Sequence, residues 1–178
     1  MIVMIAGLPG TGKSTLARML AHRLSGAVLD KDLIRAALFS PAHIEYSRTQ
    51  DDFCQEIMLQ AAAYLLEKNR SLFVFLDGRT FSQRYQRQRV IEFCSQQKID
   101  WLILECVCAE PTALARLQSA LTARTHPAAN RTPELYHQLR QAWEPIDLPK
   151  LLIDTDASVD SCVEQAMRYL VKNIRQLD

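Results

Sequence analysis

Gly7-Leu8-Pro9-Gly10-Thr11-Gly12-Lys13-Ser14, followed by Thr15, has the spacing G-x-x-x-x-G-K-S, and that spacing has a specific chemistry. Gly7, Gly10 and Gly12 permit backbone conformations that turn successive N–H groups inward into a nest for the β-phosphate of a nucleotide. A helix starting at the end of the loop adds the partial positive charge of its N-terminus. Lys13 is placed to reach the β- and γ-phosphates as a point charge, Ser14 to ligate Mg²⁺ and Thr15 to donate to the α-phosphate. Leu8, Pro9 and Thr11 complete the loop, and ATP with Mg²⁺ is the expected cofactor pair.

Carboxylates follow at two further places. The run Asp30-Lys31-Asp32-Leu33-Ile34-Arg35 closes a short apolar segment. Phosphoryl transfer needs a carboxylate within reach of the acceptor hydroxyl, to orient it and take its proton. Asp32 is the first candidate for that base and Asp30 the second, with Arg35 one helical turn after Asp32. The alternative is that both aspartates only cap the next helix. The run Leu72-Phe73-Val74-Phe75-Leu76-Asp77 has the Walker-B pattern of apolar residues ending in an acid, so Asp77 is the second expected Mg²⁺ ligand. Gly78, Arg79 and Thr80 come next, then Arg84, Arg87 and Arg89. Only Arg79 and Thr80 begin close enough to the rim to meet a substrate, and the later arginines read as a solvated face.

Charge spreading over a transferring phosphoryl group must be neutralised, and water kept out. Arg116, Arg124 and Arg131 occupy or flank an irregular segment from which a lid over residues 116–133 could close. Arg124 and Arg131 are assigned to phosphates and Arg116 to stacking near adenine. His126 is read as a loop residue.

Positioning these groups requires a scaffold, and hydrophobic periodicity supplies one. Short aliphatic runs alternate with longer helical ones, which predicts βαβ units and a parallel sheet. The candidate strands are Ile2–Ala6, Ala27–Asp30, Leu72–Asp77, Trp101–Val107 and Leu151–Ile153. Leu16, Met19, Leu20 and Leu24 form one helical stripe, and Phe53, Ile57, Ala61, Tyr64 and Leu65 a second, both read as core. Thr132-Pro133 restarts a helix with a cap and a proline at its first position. A last helix capped by Ser158 is expected to bury Val159, Cys162, Val163, Met167, Leu170 and Ile174. The expectation is an α/β fold in one domain over residues 1–178.

Composition narrows the function classes. The chain has 178 residues, 48% of them apolar, and a formal charge of +1 from 21 basic and 20 acidic side chains. That near-neutral balance speaks against a nucleic-acid partner, although Arg35 and the Arg79 to Arg89 cluster keep such an acceptor as an alternative. Cys54, Cys94, Cys106, Cys108 and Cys162 form no C-x-x-C pair and read as free thiols of a reducing compartment. The opening apolar run lacks a basic n-region and no run approaches a membrane span, so a cytoplasmic protein is expected, as monomer or homodimer. No guanine-reading N-K-x-D and no transporter signature L-S-G-G-Q occurs. A compact kinase acting on a small-molecule hydroxyl is the favoured reading. A nucleic-acid 5′-hydroxyl kinase and a regulatory ATPase without acceptor are the alternatives.

Together G-L-P-G-T-G-K-S-T, D-K-D-L-I-R, F-L-D-G-R-T-F and the late W-E-P-I with L-L-I-D-T resemble the AAA_33-type P-loop kinases. That group is close to zeta toxins, chloramphenicol phosphotransferase, gluconate kinases and polynucleotide kinases. The resemblance spans nearly the whole chain. It implies a three-layer αβα P-loop NTPase fold with a five-stranded parallel sheet in the nucleoside-kinase-like order 2-3-1-4-5. It also implies, from the D-x-x-R spacing of the polynucleotide kinases, that Asp32 is the base and that Arg35 meets an acceptor phosphate. The lid departs from the related R-x-x-x-R pattern, because Ala120 stands four residues after Arg116.

Overall fold

The computed structural model describes residues 1–123 and 132–174. The first apolar run is strand β1 (Ile2–Ala6), and the glycine loop leads from it into α1 (Lys13–Leu24). Then come β2 (Ala27–Asp30), α2 (Lys31–Leu38), a 3₁₀ turn at Pro41–His43 and the long α3 (Arg48–Lys68). Strand β3 (Val74–Asp77), α4 (Arg84–Gln97), β4 (Trp101–Val107) and α5 (Glu110–Ala123) follow. The described chain ends with α6 (Pro133–Gln141), β5 (Leu151–Asp154) and α7 (Val159–Ile174).

The five strands form one sheet in the order β2-β3-β1-β4-β5, all pairs parallel. Alternation along β1 shows why helices must cover both faces. Ile2, Met4 and Ala6 pack with Met58, Leu59, Val90 and Phe93 of α3 and α4. Val3 and Ile5 pack with Leu16 and Leu20 of α1 and with Val163 and Leu170 of α7. Successive side chains of a strand point to opposite faces, so a strand apolar throughout needs two covering layers. The architecture is the expected three-layer αβα sandwich.

Three expectations shift. Strand β3 begins at Val74, two residues later than expected, where its register with Ile2 of β1 and Ala27 of β2 starts. On α3 the core stripe is Cys54, Met58, Leu59, Ala62 and Leu66, while Phe53 and Tyr64 are more than half exposed. Two adjacent apolar stripes run along this helix, and the one without aromatics faces the sheet. Phe53 instead meets Phe39 across 6.0 Å. On α7 Val159 is 48% exposed rather than core, because the first turn overhangs a cavity. Cys162, Val163, Ala166 and Leu170 carry the packing.

The helix starts follow local chemistry. Asp30 caps α2, its Oδ1 accepting Asp32 N at 2.8 Å and Leu33 N at 3.4 Å, and Ser47 and Thr132 cap α3 and α6 in the same way. Among the described residues no helix is long and apolar enough to cross a membrane.

Candidate active site at the carboxyl edge of the sheet

Parallel strands all deliver their last residues to one rim, and the ends of β1, β2 and β3 bring the glycine loop, Asp30 and Asp77 together there. The loop is tight. Gly10 has φ 82°, and a Cβ on it would lie 2.5 Å from Ala113 O, so only glycine fits. Leu8 O collects three donors: Thr11 N at 3.3 Å, Thr11 Oγ1 at 2.7 Å and Lys13 Nζ at 2.7 Å. Lys13 is 4% exposed and its ammonium lies back along the loop.

Asp30 and Asp77 are paired across the β2/β3 ladder. Burial, and then the neighbouring Asp77 carboxylate, push the Asp30 carboxyl above its ordinary range against the opposing backbone donors. Asp77 is 1% exposed, and its Oδ1 has no hydrogen-bond partner among the described residues. Two buried carboxylates side by side, one with an orphaned oxygen, suit a hard cation. The described residues contain no group of three or more His, Cys, Asp or Glu able to hold a metal. A cation here would therefore take ligands from Ser14, Asp77, phosphate oxygens and water, as Mg²⁺ does.

Asp32 faces elsewhere. Its Oδ1 accepts Arg35 Nη1 at 2.9 Å and lies 3.3 Å from Lys31 Nζ. Both cations also hold Asp51 of α3: Lys31 Nζ at 2.7 Å from Oδ1, and Arg35 through Nη2. Lys31, Asp32 and Arg35 are each less than a tenth exposed, and with the partly exposed Asp51 they form a lattice of two acids and two bases. Burial pulls the Lys31 ammonium down to about 8 despite the raising effect of Asp32. The next acid on α3, Asp52, takes Arg79 Nη2, which also donates to Tyr85 Oη at 3.1 Å. Thr80 O receives Gly7 N at 3.0 Å, so the segment carrying Arg79 is bonded to the glycine loop itself.

Two cavities meet at Lys13. The larger, about 660 Å³, is lined by Gly10, Gly12, Ser14, Thr15, Asp30 and Arg116 among others. The smaller, about 270 Å³, is lined by Asp32, Lys31, Asp51, Arg79, Thr80 and Tyr85 with further loop residues. Asp30 thus lies on the glycine-loop side and Asp32 on the other. Arg116 donates to Thr155 O at 2.8 Å, Thr155 Oγ1 at 3.1 Å and Gly10 O at 3.4 Å, which fixes its guanidinium over the loop.

Sequence reasoning therefore named most of the rim. Arg35 is 2% exposed and stands behind the wall of the small cavity, committed to Asp32 and Asp51. Arg87 is buried on Phe81 O at 2.6 Å and Pro145 O at 3.1 Å, a structural role and not the solvated one expected. Arg89 pairs with Glu56 at the surface, as expected of it. Arg124, Arg131 and His126 lie outside the described residues. The sequence reading missed Asp51, Asp52, Tyr85 and Thr155. Asp51 falls in the first turn of α3, where a carboxylate complements the helix dipole, so nothing local in the sequence marks it as part of a site. Tyr46 and Arg48 line the small cavity, whereas Ser40 and His43 bond each other at 2.8 Å.

Known proteins share this fold. The Mycobacterium tuberculosis APS kinase CysC, solved with AMPPNP and APS, superposes with a TM-score of 0.73 at 20% identity, over 95% of this chain and 96% of its own. Chaetomium thermophilum Kti12 with ADP-AlF3 gives 0.71 at 16% identity, over 97% and 98%. A gluconokinase from Sinorhizobium meliloti 1021 gives 0.69 at 14%, over 98% and 94%. At these identities the likeness establishes the fold. No curated protein sequence matches the chain. The AAA_33 family model, described as an AAA domain, matches residues 2–127, more than half of the 178 residues, and with the P-loop kinase fold around it the chain belongs to the AAA_33 family.

Proposed function

We propose that this protein is an ATP-dependent kinase that moves the γ-phosphoryl group of ATP onto a hydroxyl of a small-molecule acceptor. The observation that carries the reading is the meeting of two cavities at Lys13, with the glycine loop and Asp30 in one and Asp32 in the other. ATP takes the larger cavity, its phosphates in the nest of backbone N–H groups and its base under Arg116. The AMPPNP in the APS kinase and the ADP-AlF3 in Kti12 support a nucleotide there. The acceptor takes the smaller one, whose volume of about 270 Å³ suits a compact molecule better than a polymer.

In the transfer step the acceptor hydroxyl oxygen forms a bond to the γ-phosphorus while the bond from that phosphorus to the β,γ-bridging oxygen breaks, and ADP leaves with the electron pair. Asp32 takes the hydroxyl proton. Arg35 and Lys31 hold the Asp32 carboxylate in place. Lys13 leaves Leu8 O for the phosphates. Mg²⁺, held by Ser14 and Asp77, would neutralise phosphate charge. Arg124 and Arg131 are assigned to the phosphates from a closing lid on their place in the sequence. The five free cysteines support a cytoplasmic setting.

The test is ADP production with ATP·Mg²⁺ across sugars, nucleosides, aminoglycosides, chloramphenicol, UDP-sugars and 5′-hydroxyl oligonucleotides, wild type beside Asp32→Asn. Stimulation by a small molecule, reduced about 10²- to 10⁴-fold in the variant, is expected. A flat panel with equal slow hydrolysis in both proteins rejects the reading in favour of a regulatory ATPase.

A further inference from the structure

The small cavity has an apolar wall that the transfer step leaves unused. Leu135 and Leu139 of α6, with Ala142 at its C-cap, line the cavity, and their spacing puts them on one face of the helix. Tyr136, 3% exposed, packs instead with Ala113 and Leu117 of α5. Arg140 adds an ion pair to Glu110 of the same helix. The far end of α6 is held as well: Gln83 Nε2 donates to Ala142 O, and Glu144 N to Ser82 O at 2.9 Å. The wall is thus fixed along its length.

Leu135 and Leu139 are half-buried, and neither belongs to a hydrophobic cluster of the described residues. Their remaining apolar surface is open to a ligand. The polar lining is the reverse case, since most of it is committed within the protein. Lys31, Asp32 and Asp51 hold one another together with Arg35, and Arg79 is paired with Asp52. Thr80 Oγ1 donates to Ser82 Oγ at 3.0 Å, Gln86 Oε1 accepts Gln83 N at 3.3 Å, and the Gln83 side chain is on Ala142 O. A polyol with a hydroxyl on every carbon would bring many donors and acceptors to a lining whose own are largely spent, and burying them unpaired is costly. An apolar body carries no such cost and gains by leaving water. Size agrees with this. A cavity of about 150 Å³ admits a benzene ring, and this one, at about 270 Å³, has room for one ring and a short hydroxylated chain.

We propose that the acceptor is a compact amphipathic alcohol, its hydroxyl on a short chain attached to an aromatic or branched hydrocarbon body, and that Leu135 and Leu139 are the specificity-determining residues that seat this body while the hydroxyl meets Asp32. The proposal rests on the kinase reading for what happens to the hydroxyl, but the seating of the body is open to test without turnover.

The first arm titrates two probes by calorimetry into the full chain saturated with AMPPNP·Mg²⁺: glycerol, and phenylpropanediol, which is glycerol with one terminal hydroxyl exchanged for a phenyl ring. Saturable binding of phenylpropanediol, at least tenfold tighter than that of glycerol, is expected. Leu139→Ser should weaken it at least tenfold while AMPPNP affinity holds, and Leu139→Met, which keeps the apolar volume, should retain most of it. No saturable binding of phenylpropanediol, equal binding of the two probes, or a Leu139→Ser effect on AMPPNP alone overturns the proposal. Thermal melting checks that the variants fold, and Leu135→Ser carries the test if Leu139→Ser does not. The second arm compares ADP release with phenylpropanediol and phenylethanol against glycerol, glucose and gluconate at equal concentration. A preference for the phenyl compounds, with KM raised at least tenfold by Leu139→Ser and kcat changed less, is expected; stimulation by the polyols alone overturns the proposal. If phenylpropanediol binds through Leu139 while no hydroxyl compound releases ADP, the apolar subsite stands and the kinase reading falls.

Discussion

Asp30 and Asp77 stand side by side in the β2/β3 register, and Gly78 makes that approach possible. Gly78 has φ 79°, and a Cβ there would lie 2.6 Å from Asp30 Oδ1 and 2.9 Å from Lys31 N. Two carboxylates are thus held together at the rim by backbone geometry, against their mutual repulsion.

That repulsion is removable by Asp30→Asn, since asparagine can still cap α2. With its folded-state value raised, Asp30 contributes stability fully present below its unfolded value of 3.8, and lost as pH rises through the higher folded value. Without nucleotide, Asp30→Asn should therefore melt higher than wild type near neutral pH, and the gap should close in acid. With ATP·Mg²⁺ the gap should shrink or reverse, because the cation then uses the charge. Melting curves against pH, with and without ATP·Mg²⁺, measure both; a variant that melts lower than wild type at neutral pH without ligand contradicts the account.

Asp51→Asn is expected to act through Arg35 and Lys31, which Asp51 holds beside Asp32. Loss of that anchor should lower kcat by about 10- to 100-fold, as misplacement of a reacting group does. AMPPNP affinity should hold, since Asp51 lines the other cavity. Steady-state kinetics beside nucleotide titration separate the two, and a loss in nucleotide affinity alone would remove Asp51 from this role.

Lys31 gives a second pH signature of opposite chemistry. Its folded value of about 8 lies below the ordinary 10.5, so the unfolded chain binds more protons here between those values. This group's contribution to stability is present above 10.5 and is lost as pH falls through about 8. Lys31→Met should flatten the rise in denaturation free energy over that interval, measured by urea melts at successive pH values.

The face of α3 can be checked by truncation. Met58→Ala, at a fully buried site, should cost about 2–5 kcal/mol. Tyr64→Ala, 61% exposed, should stay within about 0.5 kcal/mol. Equal costs would mean that α3 turns its aromatic stripe inward.

The sequence by itself determined the strand-loop-helix that binds phosphate, because G-x-x-x-x-G-K-S is local: its glycines, lysine and serine lie within one turn and the start of one helix. It also determined the five strands, since an apolar run after each helical stretch has one place to go in a doubly covered sheet. Their order was legible through the family resemblance, and the pairing of β2 with β3 bears it out. The tertiary structure alone decided which acids and bases meet. Asp51 reaches Arg35 across 16 residues and Asp52 reaches Arg79 across 27, and no periodicity encodes such distances. It also decided which of two neighbouring stripes on α3 is core, a choice of about 100° of rotation. And it separated Asp30 from Asp32, two residues apart in the chain, into different cavities, because the first ends a strand and the second lies in the first turn of a helix, where the backbone changes direction between them.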